Sequence, residues 1–390
     1  MNLFLILIIC IFIYFIIKYF MKNDFTEKEL KILFFLIISS LVGLAVTMYP
    51  KYTGDFSVKT FDLYRYYFQM DDLRNGSFEF AISFIFEKMW FGFRFVEYIV
   101  AMISKYNTSI FIVTIPITVG IYAYILYNSN KEGKLSKKQI VISILVFFSI
   151  INPIHMFSGI RNGLAVSIHA LGQYLVKIKN KKYGYIFYFL AVFFHPMIVI
   201  FIIIDGLVPL LKKYKYSSVF LLGIVLIYPL IAYGVNFLDK IMYVPTVFIE
   251  KINSYLFEAN YYNKKMLVCE CVQVIALFMI LYRIKKNNKD NKIDYFYYVS
   301  LLIIGFIPYA TFFMRIRFII SYFVPVIFVE KNKLQVQEDK YDKFIEDILF
   351  ITSIVQIIYY SVYMYNALIW GGDYEKNCYN NIWIASNAIG

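Results

Sequence analysis

Residues 158–211 read SGIRNGLAVSIHALGQYLVKIKNKKYGYIFYFLAVFFHPMIVIFIIIDGLVPLL, and two breaks divide the stretch: the four lysines at 177–182 and the pair His195-Pro196. Around those breaks lie apolar runs that lack the alternation of a membrane barrel strand. Arg161 opens the first run and lysines close it. That is the pattern of helices crossing a bilayer with arginine at one surface and lysine at the other.

The rest of the chain repeats the pattern. Of 390 residues, 61% are hydrophobic and 21% aromatic, more apolar surface than a soluble domain of this length hides. Leu3 to Ile17, Ile32 to Met48, Phe111 to Tyr127 and Val219 to Tyr233 approach or reach the ~20 residues a spanning helix needs. The fold class expected is therefore all-α, a polytopic membrane protein with residues 1–390 as one integral domain. Six stretches (18–31, 128–138, 177–182, 212–215, 283–294 and 330–347) hold 24 Lys+Arg against 12 Asp+Glu, all but one unit of the net charge of +13. An excess so confined is a topology signal marking the cytoplasmic side, not a nucleic-acid surface. Of the seven arginines only Arg283 lies in such a stretch; Arg65, Arg74, Arg94, Arg161, Arg315 and Arg317 fall on or near the opposite face.

Placing all six stretches inside counts about twelve crossings: 3–20, 32–48, 108–127, 139–153, 160–176, 183–195, 196–211, 217–235, 266–283, 293–311, 318–330 and 347–370. The segment 80–104 is long enough to span, but its charges and the parity make it an amphipathic or re-entrant element on the outer surface. The pair 183–195 and 196–211 is either a hairpin tipped at His195-Pro196 or one tilted span, because proline breaks the helical ladder and disfavours helix just before it. The outer segments are 49–107, 236–265 and a tail, 371–390. The first apolar run lacks a basic start and a cleavage site, so it is expected to be a retained span. Cys10, Cys269, Cys271 and Cys378 have neither metal-ligand nor disulfide spacing.

Four constellations carry chemistry. Asp62-Leu63-Tyr64-Arg65-Tyr66-Tyr67, followed by Asp71, Asp72 and Arg74, puts an acid, a guanidinium and a ring on one face if helical; a solvated interfacial helix is the competing reading. Arg161, Ala165 and His169 lie at i, i+4 and i+8, a cation at the membrane boundary above an imidazole ~12 Å deeper. That arginine either grips an anion or snorkels to the headgroups, and His169 fits hydrogen-bonded packing better than catalysis. His195, at the break, is a proton-transfer candidate or a helix cap. Arg315 and Arg317 interrupt an apolar stretch at the outer end of a span, where burial requires an anionic partner. Guanidinium is the planar fork that grips phosphate. Nucleotide-binding loops and zinc or serine hydrolase motifs are absent.

Taken in order, the outer-loop DLYRY, RNGLA opening a span, a basic turn, Phe-His one helix later and a late Arg-x-Arg resemble the EpsG-like group of Wzy-type polysaccharide polymerases. The similarity covers most of residues 30–330 and is clearest over 158–200; Pro196 departs from the small or hydroxylic residue usual there. The resemblance implies a metal-independent membrane glycosyltransferase without cofactor, in the bacterial plasma membrane with its site on the outer side. Its partners would be undecaprenyl-diphosphate-linked oligosaccharide donor and acceptor, membrane lipids, and a chain-length regulator or flippase. Arg161, Arg315 and Arg317 would meet the donor diphosphate, with Arg65 as a helper. His195 or Asp62 would be the base, and Tyr64, Tyr66 and Tyr67 a sugar-binding surface. Two rivals remain: a flippase, which needs cations along a cavity open to both sides where this chain has few mid-span polar residues (His169, Asp205, Glu270), and a single-sugar membrane glycosyltransferase.

Overall fold

The computed structural model describes residues 3–21, 23–47, 62–87, 91–152, 156–157, 159–214, 217–226, 264–287, 292–334 and 340–370. The expected outer segment 236–265, apart from its last two residues, and the tail with Cys378 lie outside them, as does the first part of 49–107. The described elements are helical, in chain order α1 (Leu3–Phe20), α2 (Glu27–Thr47), α3 (Asp62–Asn75), α4 (Phe78–Phe86), α5 (Phe91–Ile103), α6 (Ile110–Gly133) and α7 (Lys137–Ile150). Then come α8 (Ile160–Gln173), continued by a π turn (Tyr174–Ile178), α9 (Gly184–Phe194), α10 (Ile198–Leu211), α11 (Ser217–Leu226) and α12 (Lys264–Asn287). The last four are α13 (Asp294–Gly305), α14 (Ala310–Ile316), α15 (Phe318–Lys333) and α16 (Lys340–Trp370).

Five stretches are long and apolar enough to cross a bilayer: Leu3–Phe20, Glu27–Thr47, Asn107–Gly133, Met266–Asn287 and Lys340–Ser361. The structure does not bear out twelve crossings by length: α9, α10 and α13 have 11, 14 and 12 residues, about 16 to 21 Å against a hydrocarbon core of ~30 Å. α7 and α15 are apolar all round and are buried from Gln139 to Ile150 and from Phe318 to Glu330, so they form the centre of the bundle. There Tyr122 of α6 stacks on Phe147 of α7 at 3.8 Å, with Tyr322 of α15 edge-on to Phe147 at 5.2 Å. Residues 80–104 form two short helices. Their exposed apolar side chains, among them Phe78, Phe86, Phe95 and Ile103, suit a membrane surface.

Polar contacts collect one set of helix ends. Lys18 at the foot of α1 pairs with Glu29 of α2 at 3.1 Å, and the Tyr19 hydroxyl donates to Asp347 of α16 at 2.8 Å. Lys331 of α15 pairs with Glu346 of α16 at 2.9 Å, and Gln139 of α7 donates to Asn332 of α15 at 3.0 Å. Arg283 of α12 holds Asp342 at 2.6 Å, and Lys212 of α10 holds Asp294 of α13 at 2.6 Å. Lys179 pairs with Glu132 of α6, closing the ring. The basic stretches of the sequence thus share one end of the bundle, here called the lysine end. Reversals there use local devices: Ser136 and Gln139 form a capping box that starts α7, and Asn180 takes the left-handed conformation (φ 54°) that ends the π turn.

The register of α8 against α9 follows from two glycines. A Cβ on Gly172 would lie 2.9 Å from the Gly184 carbonyl oxygen, and one on Gly184 would lie 2.9 Å from that of Gly172. Backbones approach this closely only across small residues. At the other end of the pair, α9 and α10 fold back as a hairpin: His169 lies between Tyr188 of α9 (4.9 Å) and Phe201 of α10 (5.6 Å), and Tyr188 donates to Asp205 at 3.5 Å. One continuous tilted helix would hold residues 188 and 205 about 25 Å apart. The hairpin is therefore the alternative the structure adopts.

Gly184→Val should cost about 1–3 kcal/mol by overpacking this contact. Gly206→Ala, whose added methyl meets nothing within 4 Å, should not destabilise and should add up to about 1 kcal/mol through helix propensity. Thermal unfolding of both variants in one detergent checks the pair.

Candidate functional site

The end opposite the lysines gathers the residues singled out by the sequence. Arg161 stands half-exposed in the first turn of α8, whose leading amides have no side-chain cap at Gly159. It precedes Gly172 by as many residues as His195 follows Gly184. Because those glycines touch, Arg161 and His195 stand at the same level, about three turns above the contact. α15 runs parallel to α8. Ser167 stands beside the Tyr322 hydroxyl, and both helices lead their C-terminal ends to the C-terminus of α6: Lys179 to Glu132, and Val329 to Gly133. Arg317, the residue preceding α15, therefore also reaches the level of Arg161.

The three groups differ in what they touch. Arg317 is 0% exposed and donates through Nη2 to Oε1 of Glu270, also 0% exposed, at 2.7 Å. The Tyr360 hydroxyl donates to the same carboxylate oxygen at 2.7 Å. Among the described residues, Nε and Nη1 of Arg317 and Oε2 of Glu270 have no hydrogen-bond partner. Beneath the pair, Gln273 of α12 donates to Ser149 of α7 at 2.9 Å and to Ser353 of α16 at 2.8 Å. A polar ladder thus descends from Arg317 between central helices. Arg315, in the last turn of α14, is half-exposed and has interactions of its own.

His195 ends α9 in an extended conformation (φ −157°, ψ 125°), and its Nδ1 accepts the amide hydrogen of Met197 at 3.2 Å. The imidazole thereby caps the start of α10. A neutral ring whose Nδ1 accepts carries its hydrogen on Nε2, so this geometry presents a donor and withholds the lone pair a base needs. His169, two turns below Arg161, is fully buried beside the Tyr295 hydroxyl and Gln173, each 3.4 Å away. It is a packing residue.

A cap of three short helices lies over this end. Tyr66 of α3 packs edge-on to Phe93 of α5 at 5.1 Å, and Phe91 of α5 lies 4.5 Å from Phe193, two residues before His195. A Cβ on Gly92 would come within 3.1 Å of the Phe193 backbone, so α5 sits close on the end of α9. Asp62, Tyr64 and Arg65 fall in the first turn of α3, and their side chains lie outside the described ones. Tyr66, expected on a sugar-binding surface, is 1% exposed and serves as an anchor of the cap; Tyr67 is half-buried. Two of the arginines hold the cap together. Arg74 donates to the carbonyls of Ala101 and Ser104, at 3.2 and 3.0 Å, and to Asp71 at 2.8 Å; Arg94 pairs with Glu87 at 2.9 Å over the Phe84 ring. Beside the first turn of α8 a small recess of about 10 Å³ lies between Thr114, Thr118, Ile151 and Gly163.

The site's missing partner was Glu270. A single carboxylate in the apolar run of α12 is the signal that could have found it, because an intramembrane acid implies a buried cation nearby. Among the described residues, Cys10, Cys269 and Cys271 are free thiols.

The described helices, five of them long and apolar enough to cross a bilayer, make this a helical membrane protein with Arg161 and Arg317 toward one end. The sequence profile of the EpsG family matches residues 52–380, and the chain belongs to that family. Membership makes it a membrane protein of glycosyltransferase type in polysaccharide biosynthesis. Comparison with curated proteins and with solved structures gave no match.

Breaking the buried pair from one side, by Glu270→Gln or Arg317→Met, should cost about 3–5 kcal/mol, since the remaining group stays buried without its partner. The double variant should be less destabilised than the sum of the two singles. Thermal unfolding of all three reads the coupling, and additive losses would show that the groups do not act as a pair.

Proposed function

We propose that the protein is a polysaccharide polymerase, transferring a growing glycan from a lipid diphosphate onto the terminal hydroxyl of a lipid-linked repeat unit at the outer face of the bacterial plasma membrane. The observation that carries this reading is the common level of Arg161, Arg317 and His195 at the arginine end. The positive-inside rule takes the lysine end as cytoplasmic, which turns the arginines outward. In the reaction the bond from the sugar's anomeric carbon to the diphosphate oxygen breaks and a bond to the acceptor oxygen forms. The acceptor's proton goes to a base, and the lipid diphosphate leaves with the electron pair.

The chemistry assigns roles by what each group can offer. Arg161, with the uncapped amides of α8, and Arg315 meet the diphosphate, where negative charge grows on the departing oxygen. Arg317, held by Glu270, which Tyr360 also bonds, adds positive potential from beneath through Nε and Nη1. Arg65 takes the acceptor lipid's phosphates. Asp62 is the better base, because His195 spends its Nδ1 lone pair on Met197; His195 then donates from Nε2 to a substrate oxygen. Tyr64 and Tyr67 remain the sugar-contacting rings. No metal ion enters these steps.

The deciding experiment incubates purified protein with a lipid-diphosphate-linked repeat unit, without nucleotide or added metal, and resolves products by size. A ladder is expected. Transfer of one sugar only would favour the single-sugar enzyme, and movement of substrate across the bilayer without new bonds would favour the flippase. Arg161→Lys should lower polymer formation on the order of 10² to 10³ with the protein level intact, since lysine cannot replace a bidentate contact in a water-poor site. Asp62→Asn should abolish the ladder, whereas His195→Asn, whose side-chain oxygen can still cap α10, should keep the fold and a measurable rate. A fully active Asp62→Asn protein would remove that carboxylate from the mechanism.

A further inference from the structure

The helices that face lipid differ in length from one side of the bundle to another. One face is formed by α1 and α2, of 18 and 21 residues, about 27 and 31 Å long. They pack on α6 and α7, Phe34 meeting Tyr122 at 6.0 Å and Phe12 meeting Phe148 at 5.6 Å. Ile13, Ile17, Ile32 and Phe35 are exposed there, and residues 32–47 carry no charge. That face fits a hydrocarbon layer of ~30 Å. Another face is formed by the hairpin of α9 and α10, whose side chains Ile186, Phe189, Ile203 and Leu210 are also exposed. Its helices have 11 and 14 residues, about 16 and 21 Å. Tilting them would only shorten the span.

Charge bounds the hairpin at both ends. At the lysine end Lys181, Lys182 and Lys213 are exposed. At the other end Phe193 lies 4.5 Å from Phe91, and Phe91 lies 5.7 Å from Phe86, whose neighbour Glu87 is an exposed carboxylate. Asp72 and Glu79 of the cap are exposed as well. Behind the hairpin, Arg161 and Lys177 stand only about 24 Å apart along α8 and its π turn. A bilayer of ordinary thickness has two ways to meet so short a wall: take the cap's carboxylates into hydrocarbon, or draw its own headgroups inward. The first puts charge into lipid, which costs far more than a lipid deformation of a few ångströms. Lysines reach headgroups by extending their stems, so most of the shortfall falls on the leaflet at the arginine end. We infer that the protein thins the bilayer along the α9–α10 face, to a hydrocarbon layer of roughly 20 Å against ~30 Å beside α1 and α2. The partner is bulk lipid, and the surface that shapes it is the hairpin with α4 and α5 above. On that face the headgroup plane comes down to the level of Arg161 and His195, whereas over α1 and α2 it stands roughly 10 Å higher. Nothing in this depends on the reaction performed at the arginine end.

Two measurements test this, neither of which needs turnover. Unaltered full-length protein in a nanodisc of dioleoylphosphatidylcholine and dioleoylphosphatidylglycerol, marked with an antibody fragment, is imaged by electron cryo-microscopy. The separation of the two headgroup layers is read beside each face, and it should be roughly 10 Å smaller beside α9 and α10 than beside α1 and α2. Equal separations with the cap sunk in hydrocarbon, or a second copy packed against the hairpin, would overturn the inference. Depth-dependent quenching in vesicles of the same lipids is the independent arm. A fluorescent amino acid is placed at Val199 beside the hairpin tip, at Tyr214 at its lysine end, or at Phe35 in the middle of α2, all three exposed. Phosphatidylcholine with its doxyl group near the headgroup should quench the label more strongly at Val199 and Tyr214. Lipid with the doxyl group near the chain end should quench it more strongly at Phe35. Stronger quenching by the deep probe at Val199 or Tyr214 would place an end of the hairpin inside hydrocarbon of ordinary thickness and remove the thinning.

Discussion

Apolar helices in a bilayer gain little from meeting one another, because lipid tails are as apolar as their side chains. What sets their register has to be close packing and polar contact, and in this chain most of the ion pairs lie at the lysine end. Lys18 with Glu29 and Lys331 with Glu346 tie consecutive helices, and Arg283 with Asp342 and Lys212 with Asp294 tie helices far apart in sequence. Individually such pairs near a surface contribute little. Their effect is geometric: they set which helix ends meet and so fix the register of the bundle.

At the opposite end the polar contacts serve a different purpose. A guanidinium and a carboxylate removed from water cost several kcal/mol each, offset only by close geometry and further hydrogen bonds. Arg317 and Glu270 have the geometry, and Tyr360 supplies a bond, yet among the described residues two nitrogens of the arginine and one carboxylate oxygen are left over. An arrangement built only for stability would have been better served by apolar side chains. The surplus donors lie at the N-terminus of α15, where the helix dipole adds to the same positive potential. Arg161 occupies the matching position on α8. Two helix N-termini and two arginines therefore favour negative charge at one level of the bundle.

The cap shows why sequence position is a poor guide to role. Arg74, Arg94 and Arg161 look alike on the page, each an arginine near an outer boundary. Arg74 and Arg94 are consumed in holding α3, α4 and α5 together, through carbonyls at the end of α5 and through Glu87. Tyr66 and Tyr67 are neighbours in a tyrosine-rich run, but helical register sends Tyr66 inward with Met70 and Leu73. His195 is placed at the break foreseen from His195-Pro196, and the same break turns its Nδ1 to the Met197 amide.

Much of the fold was legible in one dimension because it depends on local composition. Apolar runs must be helical in a bilayer, since every backbone group needs an internal partner, and each expected run that falls among described residues is a helix. The lysine stretches do share one end. The amphipathic character of 80–104 and the hairpin at His195-Pro196 also followed from charge and proline. What the chain could not declare by itself was pairing between helices: that Glu270 answers Arg317, that Gly172 and Gly184 bring Arg161 level with His195, and that Tyr19 of α1 meets Asp347 of α16. Periodicity and charge are properties of a segment, whereas a buried ion pair exists only where side chains from separate segments come within a few ångströms of each other.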